Sequence, residues 1–100
     1  MHLTRSYKDE LHKALLDPEE AAEYLSAALE EGDRDVFLLA LKDVVQAQGG
    51  MAKLAKESTL NRESLYKMLS KKGNPKVSSL DSLLHAMNMR LAVRPIETSV

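Results

Sequence analysis

Apolar residues in this chain recur at helical spacing over most of its length. Leu3, Tyr7, Leu11 and Leu15 fall every fourth position and predict a short first helix, with Ser6 and Asp9 as a weak capping box. A second helix is predicted from Asp17. Asp17 serves as N-cap, Pro18 takes the first helical position, and Glu19 and Glu20 stand in the first turn. Ala21, Leu25, Ala28 and Leu29 form its inward stripe, and Gly32 ends it. Asp33 then caps a third helix with Val36, Phe37, Ala40, Leu41, Val44 and Val45 as its apolar face, closed by Gly49-Gly50. Near the other end, Ser78 or Ser79 is expected to cap a last helix that buries Leu80, Leu83, Leu84 and Met87. After it the period changes to two. Met89-Arg90-Leu91-Ala92-Val93-Arg94-Pro95 alternates and predicts a short strand, which needs a partner for its backbone groups. The same strand of a second copy is one candidate.

The stretch between these helices carries the chemistry. In MAKLAKESTLNRESLYKML, residues 51–69, the apolar rhythm is broken by Ser58 and Thr59 and then resumes. Met51, Leu54 and Ala55 face inward on one short helix, and the small Ala55 lets a second helix cross closely. Leu60 plugs the core from the turn. Asn61 caps the second helix, and Ser64 supports it. Leu65, Met68 and Leu69 form an i, i+3, i+4 stripe that must face inward. Arg62, Glu63, Tyr66 and Lys67 are left pointing out near the helix start. Two short helices so arranged make a helix-turn-helix, whose second helix reads base edges in the DNA major groove. Lys71-Lys72-Gly73-Asn74-Pro75-Lys76 follows as a loop, where Asn74 serves the turn rather than a ligand.

Charge sharpens this reading. The formal net charge is −1, yet it is segregated. Residues 1–50 hold five basic side chains against eleven acidic ones. Residues 51–76 hold seven basic (Lys53, Lys56, Arg62, Lys67, Lys71, Lys72, Lys76) against Glu57 and Glu63. A basic segment coinciding with the helix-turn-helix is the footprint of a phosphate-contacting face. The acidic half should lie away from DNA and could meet a basic partner. One hundred residues, 44% of them apolar, predict a single domain with one modest core. Its parts are a helical extension (1–32), a helix-turn-helix core (33–88) and a tail (89–100). Cysteine is absent, which excludes disulfides and thiol nucleophiles. No membrane-length apolar run and no signal peptide are visible, so a cytoplasmic protein is expected.

At this point the residues resemble a known family. The chain is similar, from about Asp17 to Arg94, to the small helix-turn-helix antitoxins called addiction module antidote proteins. These are related to the HigA and Xre-like regulators with a lambda-repressor-like domain. The resemblance rests on Glu23-Tyr24-Leu25, Ala27 through Asp33, Leu54-Ala55, Arg62-Glu63-Ser64-Leu65-Tyr66-Lys67, Leu69-Ser70 and Gly73-Asn74-Pro75. It implies an all-α, lambda-repressor-like bundle, here of five to six helices plus the short C-terminal strand. It further implies a homodimer on a palindromic double-stranded operator, repression of the shared operon, and a small basic toxin partner, typically of the ribonuclease type. No cofactor is implied. Two departures stand out. Thr59 occupies a turn position usually held by glycine and is expected to carry strain or shift the turn. Gln48 stands where relatives are expected to have arginine, removing one phosphate contact.

The expected DNA-contacting residues are therefore Asn61, Arg62, Glu63, Ser64, Tyr66 and Lys67, with Lys53, Lys71 and Lys72 neutralising phosphate. Arg62 and Lys67 suit either a guanine edge or a phosphate, or remain solvated surface. Tyr66 is either half-buried packing or a hydroxyl on the backbone. Glu63 accepts from a cytosine amine or supports its own helix N-terminus. Met87, Met89, Leu91 and Val93 are the expected dimer contacts. Glu20, Glu23, Tyr24 and Glu30 are the expected toxin face. His2, His12 and His85 are scattered, with no metal-ligand spacing read among them. Glu30, Glu31, Asp33 and Asp35 are read as a solvated helix boundary. Catalysis is not expected, since no triad or phosphate-cradling glycine loop is present. The rival readings are a stand-alone Xre-like repressor without a toxin, and a protein-binding module that has lost DNA contact.

Overall fold

The computed structural model describes residues 5–70 and 73–97, Arg5 and Ser6 by their backbone only. Leu3, the Ser6 cap, Lys71 and Lys72 lie outside what is described. Among the described residues six helices occur in order: α1 Arg5–Ala14, α2 Pro18–Glu30, α3 Arg34–Ala47, α4 Met51–Glu57, α5 Arg62–Met68 and α6 Val77–Ala86. The fold is all-helical.

Local chemistry explains most boundaries. The Asp17 carboxylate accepts from the Glu19 amide at 3.1 Å, and Asp33 accepts from the Asp35 amide at 2.8 Å. Each satisfies a donor that the first helical turn leaves free. Helix α3 ends when Gly49, at φ +122°, turns the chain back and the Gly50 amide reaches the Val45 carbonyl. Helix α6 ends by the same device without glycine. Asn88 takes φ 63°, its amide bonds the His85 carbonyl, and the Met89 amide bonds that of Leu84.

The core is one contiguous cluster of apolar side chains. Helix α3 sits at its centre, packed on α1, α2 and α4, while α4 also packs on α5 and α6. That position explains why α3 buries more than one stripe. Leu38, not assigned to the expected face, is buried with Phe37, Ala40, Leu41, Val44 and Val45.

Four expectations are corrected. Leu29 and Val36, assigned to inward stripes, are 57% and 40% exposed. The buried line of α2 runs through Ala21, Leu25 and Ala28, and Leu29 lies one residue round the helix from it. Neither Ser78 nor Ser79 caps α6; the cap position is Lys76, with no side-chain bond, and the helix starts immediately after it. Finally, no strand occurs at 89–95 or elsewhere among the described residues. Past α6 the described chain carries no regular element, and no neighbouring strand among the described residues lies beside it to take its backbone groups.

Candidate functional site

The segment from α4 to α5 assembles as its spacing suggested. Met51 and Leu54 are buried on α4, and Ala55 is half-buried. The turn, residues 58–61, is bonded at both ends. The Thr59 amide donates to the Ser82 hydroxyl of α6 at 3.0 Å, and the two hydroxyls share a 2.7 Å bond. The Leu60 amide donates to the Ser58 hydroxyl at 3.2 Å, and Leu60 packs against the core. The strain expected at Thr59 is absent. Asn88 is the single non-glycine residue at positive φ among those described, so Thr59 keeps an ordinary backbone. Its hydroxyl does what a glycine cannot, tying the turn to α6.

Asn61 caps α5. Its side-chain oxygen accepts from the Ser64 amide at 2.7 Å. Leu65, Met68 and Leu69 are buried, so Arg62, Glu63, Ser64, Tyr66 and Lys67 are all exposed on the other side. Tyr66 is 52% exposed, which favours the outward alternative over packing. The Arg62 guanidinium lies over its ring at 5.9 Å from the centroid, a cation–π contact one helical turn apart. The pair offers a flat cationic and phenolic surface. Neither Arg62 nor Lys67 has an acidic partner among the described residues. Lys53 on α4 is within 4.0 Å of Glu57, an exposed pair that water largely screens. Beside α5, a shallow hollow of about 630 Å³ sets Ser64 and Lys67 opposite Asn74 and Lys76. Two lysines, Lys67 and Lys76, line this open hollow with no carboxylate among its lining residues, a composition that suits an anionic ligand.

The other expected residues fall elsewhere. Glu20, Glu23 and Glu30 are exposed on α2. Tyr24 is half-buried and donates its hydroxyl to Asp43 of α3 at 2.8 Å. Burial, and then the Asp43 carboxylate, push its phenol up to about 12. Met87 is fully buried in the chain's own core, so it is not available to a second copy. Met89 is half-buried, while Leu91 and Val93 are 39% and 98% exposed. Gln48, read as a lost phosphate contact, has a different task. Its amide donates to the Leu15 and Leu16 carbonyls at 2.9 and 3.3 Å, pinning the end of α1 to the end of α3.

Two residues escaped the sequence reading, Ser82 and Asp43. Their partners lie 23 and 19 residues away, and no one-dimensional pattern marks either pair. One spacing was overlooked: Asp81 stands four residues before His85, and the two approach to 3.6 Å. Both are exposed, and no group of three metal-capable side chains exists among the described residues. No described helix is long and apolar enough to cross a membrane.

Comparison with known proteins places the chain. Residues 7–95 match the family described as "Probable addiction module antidote protein". An uncharacterized protein of Haemophilus influenzae is 32% identical over 93 residues, covering 92% of this chain and 95% of that protein. No solved structure matches. The match takes in α1 from Tyr7 and the whole of α2 to α6, including the exposed face of α5 and the acidic face of α2, and the chain belongs to the probable addiction module antidote protein family.

Proposed function

We propose that this chain is the antitoxin of a two-protein addiction module. It binds double-stranded DNA through α5, represses its own operon as a homodimer, and neutralises a small basic toxin of the ribonuclease type. In this reading α3 to α6 form a lambda-repressor-like helix-turn-helix core, residues 33–88. Residues 1–32 are an extension, and 89–100 are the tail. The protein acts in the cytoplasm and by binding, not catalysis.

One observation carries the DNA reading. Helix α5 buries Leu65, Met68 and Leu69 and leaves Arg62, Tyr66 and Lys67 exposed, with no carboxylate engaging either cation among the described residues. An amphipathic helix of this kind can enter a major groove without unfolding anything. Asn61, Glu63 and Ser64 share the leading end of that face, and Lys53 is a proposed phosphate neutraliser, as are Lys71 and Lys72, which lie outside the described residues. The family membership supports the toxin partner. The acidic surface bearing Glu20, Glu23, Tyr24 and Glu30 is its proposed contact. Dimerisation through Met89, Leu91 and Val93 would set two α5 helices about 34 Å apart, one turn of duplex.

A mobility-shift titration on the DNA upstream of the gene tests the reading. Arg62→Ala is expected to weaken binding by about 1–3 kcal/mol if it holds a guanine edge, and to relax preference at one base pair. Lys67→Ala on a phosphate weakens all sequences alike and lowers the salt slope by about 1. Wild-type binding with no salt dependence would leave a protein-binding module instead.

A further inference from the structure

Helices α2 and α3 lie side by side, and one stripe of each is left uncovered. On α2, Tyr24, Ala27, Ala28 and Glu31 follow the spacing i, i+3, i+4, i+7. On α3, Val36, Leu39, Ala40 and Asp43 repeat it. These two stripes line an open groove of about 270 Å³. Its floor is made of alanines, with Ala28 and Ala40 buried, so a third backbone can approach closely. Its wall is apolar where it meets solvent: Leu39 is 62% exposed and Val36 40%. Scattered surface leucines need no explanation, but two matched helical stripes around an alanine floor have the shape that receives an amphipathic helix.

Charge selects the kind of helix. Glu20 lies one turn before Tyr24 on the same stripe, Glu31 and Asp43 line the groove, and Glu23 and Asp35 flank it. Against these five carboxylates stands Lys42 at the edge of α3, and beyond the Tyr24–Asp43 bond α1 brings Lys8 and His12. Among the described residues, the chain has no cationic helix free to supply the complement. Its own cationic helices, α4 and α5, turn their apolar faces into the core.

We infer that the α2–α3 groove receives a basic amphipathic helix of the partner protein. Its apolar face rests on Val36 and Leu39, and its Lys or Arg side chains meet Glu20, Glu31 and Asp43. The inference rests on the antitoxin reading, because it takes that partner to be the basic toxin.

The test uses the full-length chain and the purified product of the neighbouring gene, titrated by calorimetry. Wild type binds, and Leu39→Lys weakens binding at least tenfold. Leu16→Lys, a leucine 56% exposed and outside the groove and the proposed toxin and dimer contacts, stays within twofold of wild type. Circular dichroism melts and the operator mobility shift stay unchanged in both variants, which separates lost docking from lost folding. Unchanged affinity in Leu39→Lys would overturn the groove and leave the antitoxin reading standing. No binding by wild type would overturn both. A Leu39→Lys chain that turns from dimer to monomer in light scattering without the partner would assign the groove to a second copy, and overturn the inference too.

Discussion

At the scale of single residues, side-chain oxygens decide the turns, and some of them announce themselves. Asp17, Asp33 and Asn61 are readable as caps because each bonds an amide two or three residues ahead. Thr59 was not readable, because the hydroxyl that stabilises it belongs to Ser82 on another helix. The difference is testable. Were Thr59 strained, Thr59→Gly would stabilise the chain. Since it keeps an ordinary φ and two bonds to Ser82, the substitution is expected to destabilise by about 1 kcal/mol, through the lost hydroxyl and a looser unfolded chain, as measured by urea unfolding. Tyr24 has a second signature. Its phenol holds its proton up to about 12, against 10.0 for an unperturbed tyrosine. Between those values the unfolded chain binds fewer protons than the folded one, so stability falls as pH rises. The contribution is complete below pH 10 and lost on passing 12. Tyr24→Phe removes the hydrogen bond to Asp43 and is expected to cost about 1 kcal/mol near neutrality while flattening the alkaline decline. Unfolding free energies measured on both sides of pH 10 check the sign.

At the scale of elements, helical period and caps located most of the structure, and the failures share a cause. A stripe tells which side of a helix is apolar but not how many neighbours it has. Helix α3 is central, so Leu38 is buried beyond its expected face, while Leu29 and Val36 remain exposed, with no described helix packed over them. The alternation at 89–95 was read as a strand on its own merits, but a strand is a relation between two segments, and only one is present. Helix α5 illustrates the opposite case, where local signals suffice. It has seven residues, too few to persist alone, so its cap and its buried Leu65 matter disproportionately. Asn61→Ala is expected to destabilise the chain by about 0.5–2 kcal/mol. It should also weaken operator binding beyond any direct contact, because a frayed first turn misplaces Arg62. Asn61→Ser, which restores a capping oxygen, is expected to recover most of both losses in thermal melts and mobility shifts.

At the scale of the whole molecule, two charged territories coexist on one chain with almost no net charge, and the proposed dimer would multiply both. In the proposed function, separating the cations of α5 from the carboxylates around α2 would let DNA and a basic protein be held at once without competing. That segregation was visible in the residue counts; which surfaces carry it required the fold. In the proposed DNA reading, a single α5 face would contribute few phosphate contacts, so useful operator affinity would need two of them on one rigid body. The tail, whose Ala92 and residues 94–97 share a hollow with Ser26, Leu29 and Glu30 of α2, is the element proposed to make that body. Leu91, Val93 and Ile96 are 39%, 98% and 89% exposed, whereas Met87 closes the chain's own core and the Met89 amide completes the end of α6. Removing residues 90–100 should therefore leave the fold intact and remove the dimer. Light scattering is expected to report a monomer, with a circular dichroism melt close to that of the full chain. Operator affinity should fall steeply, and its salt slope should halve, since each subunit carries half of the neutralised phosphates at about −0.9 per contact. A truncated chain that stays dimeric would move the interface elsewhere, and a truncated chain that melts early would make the tail part of the core.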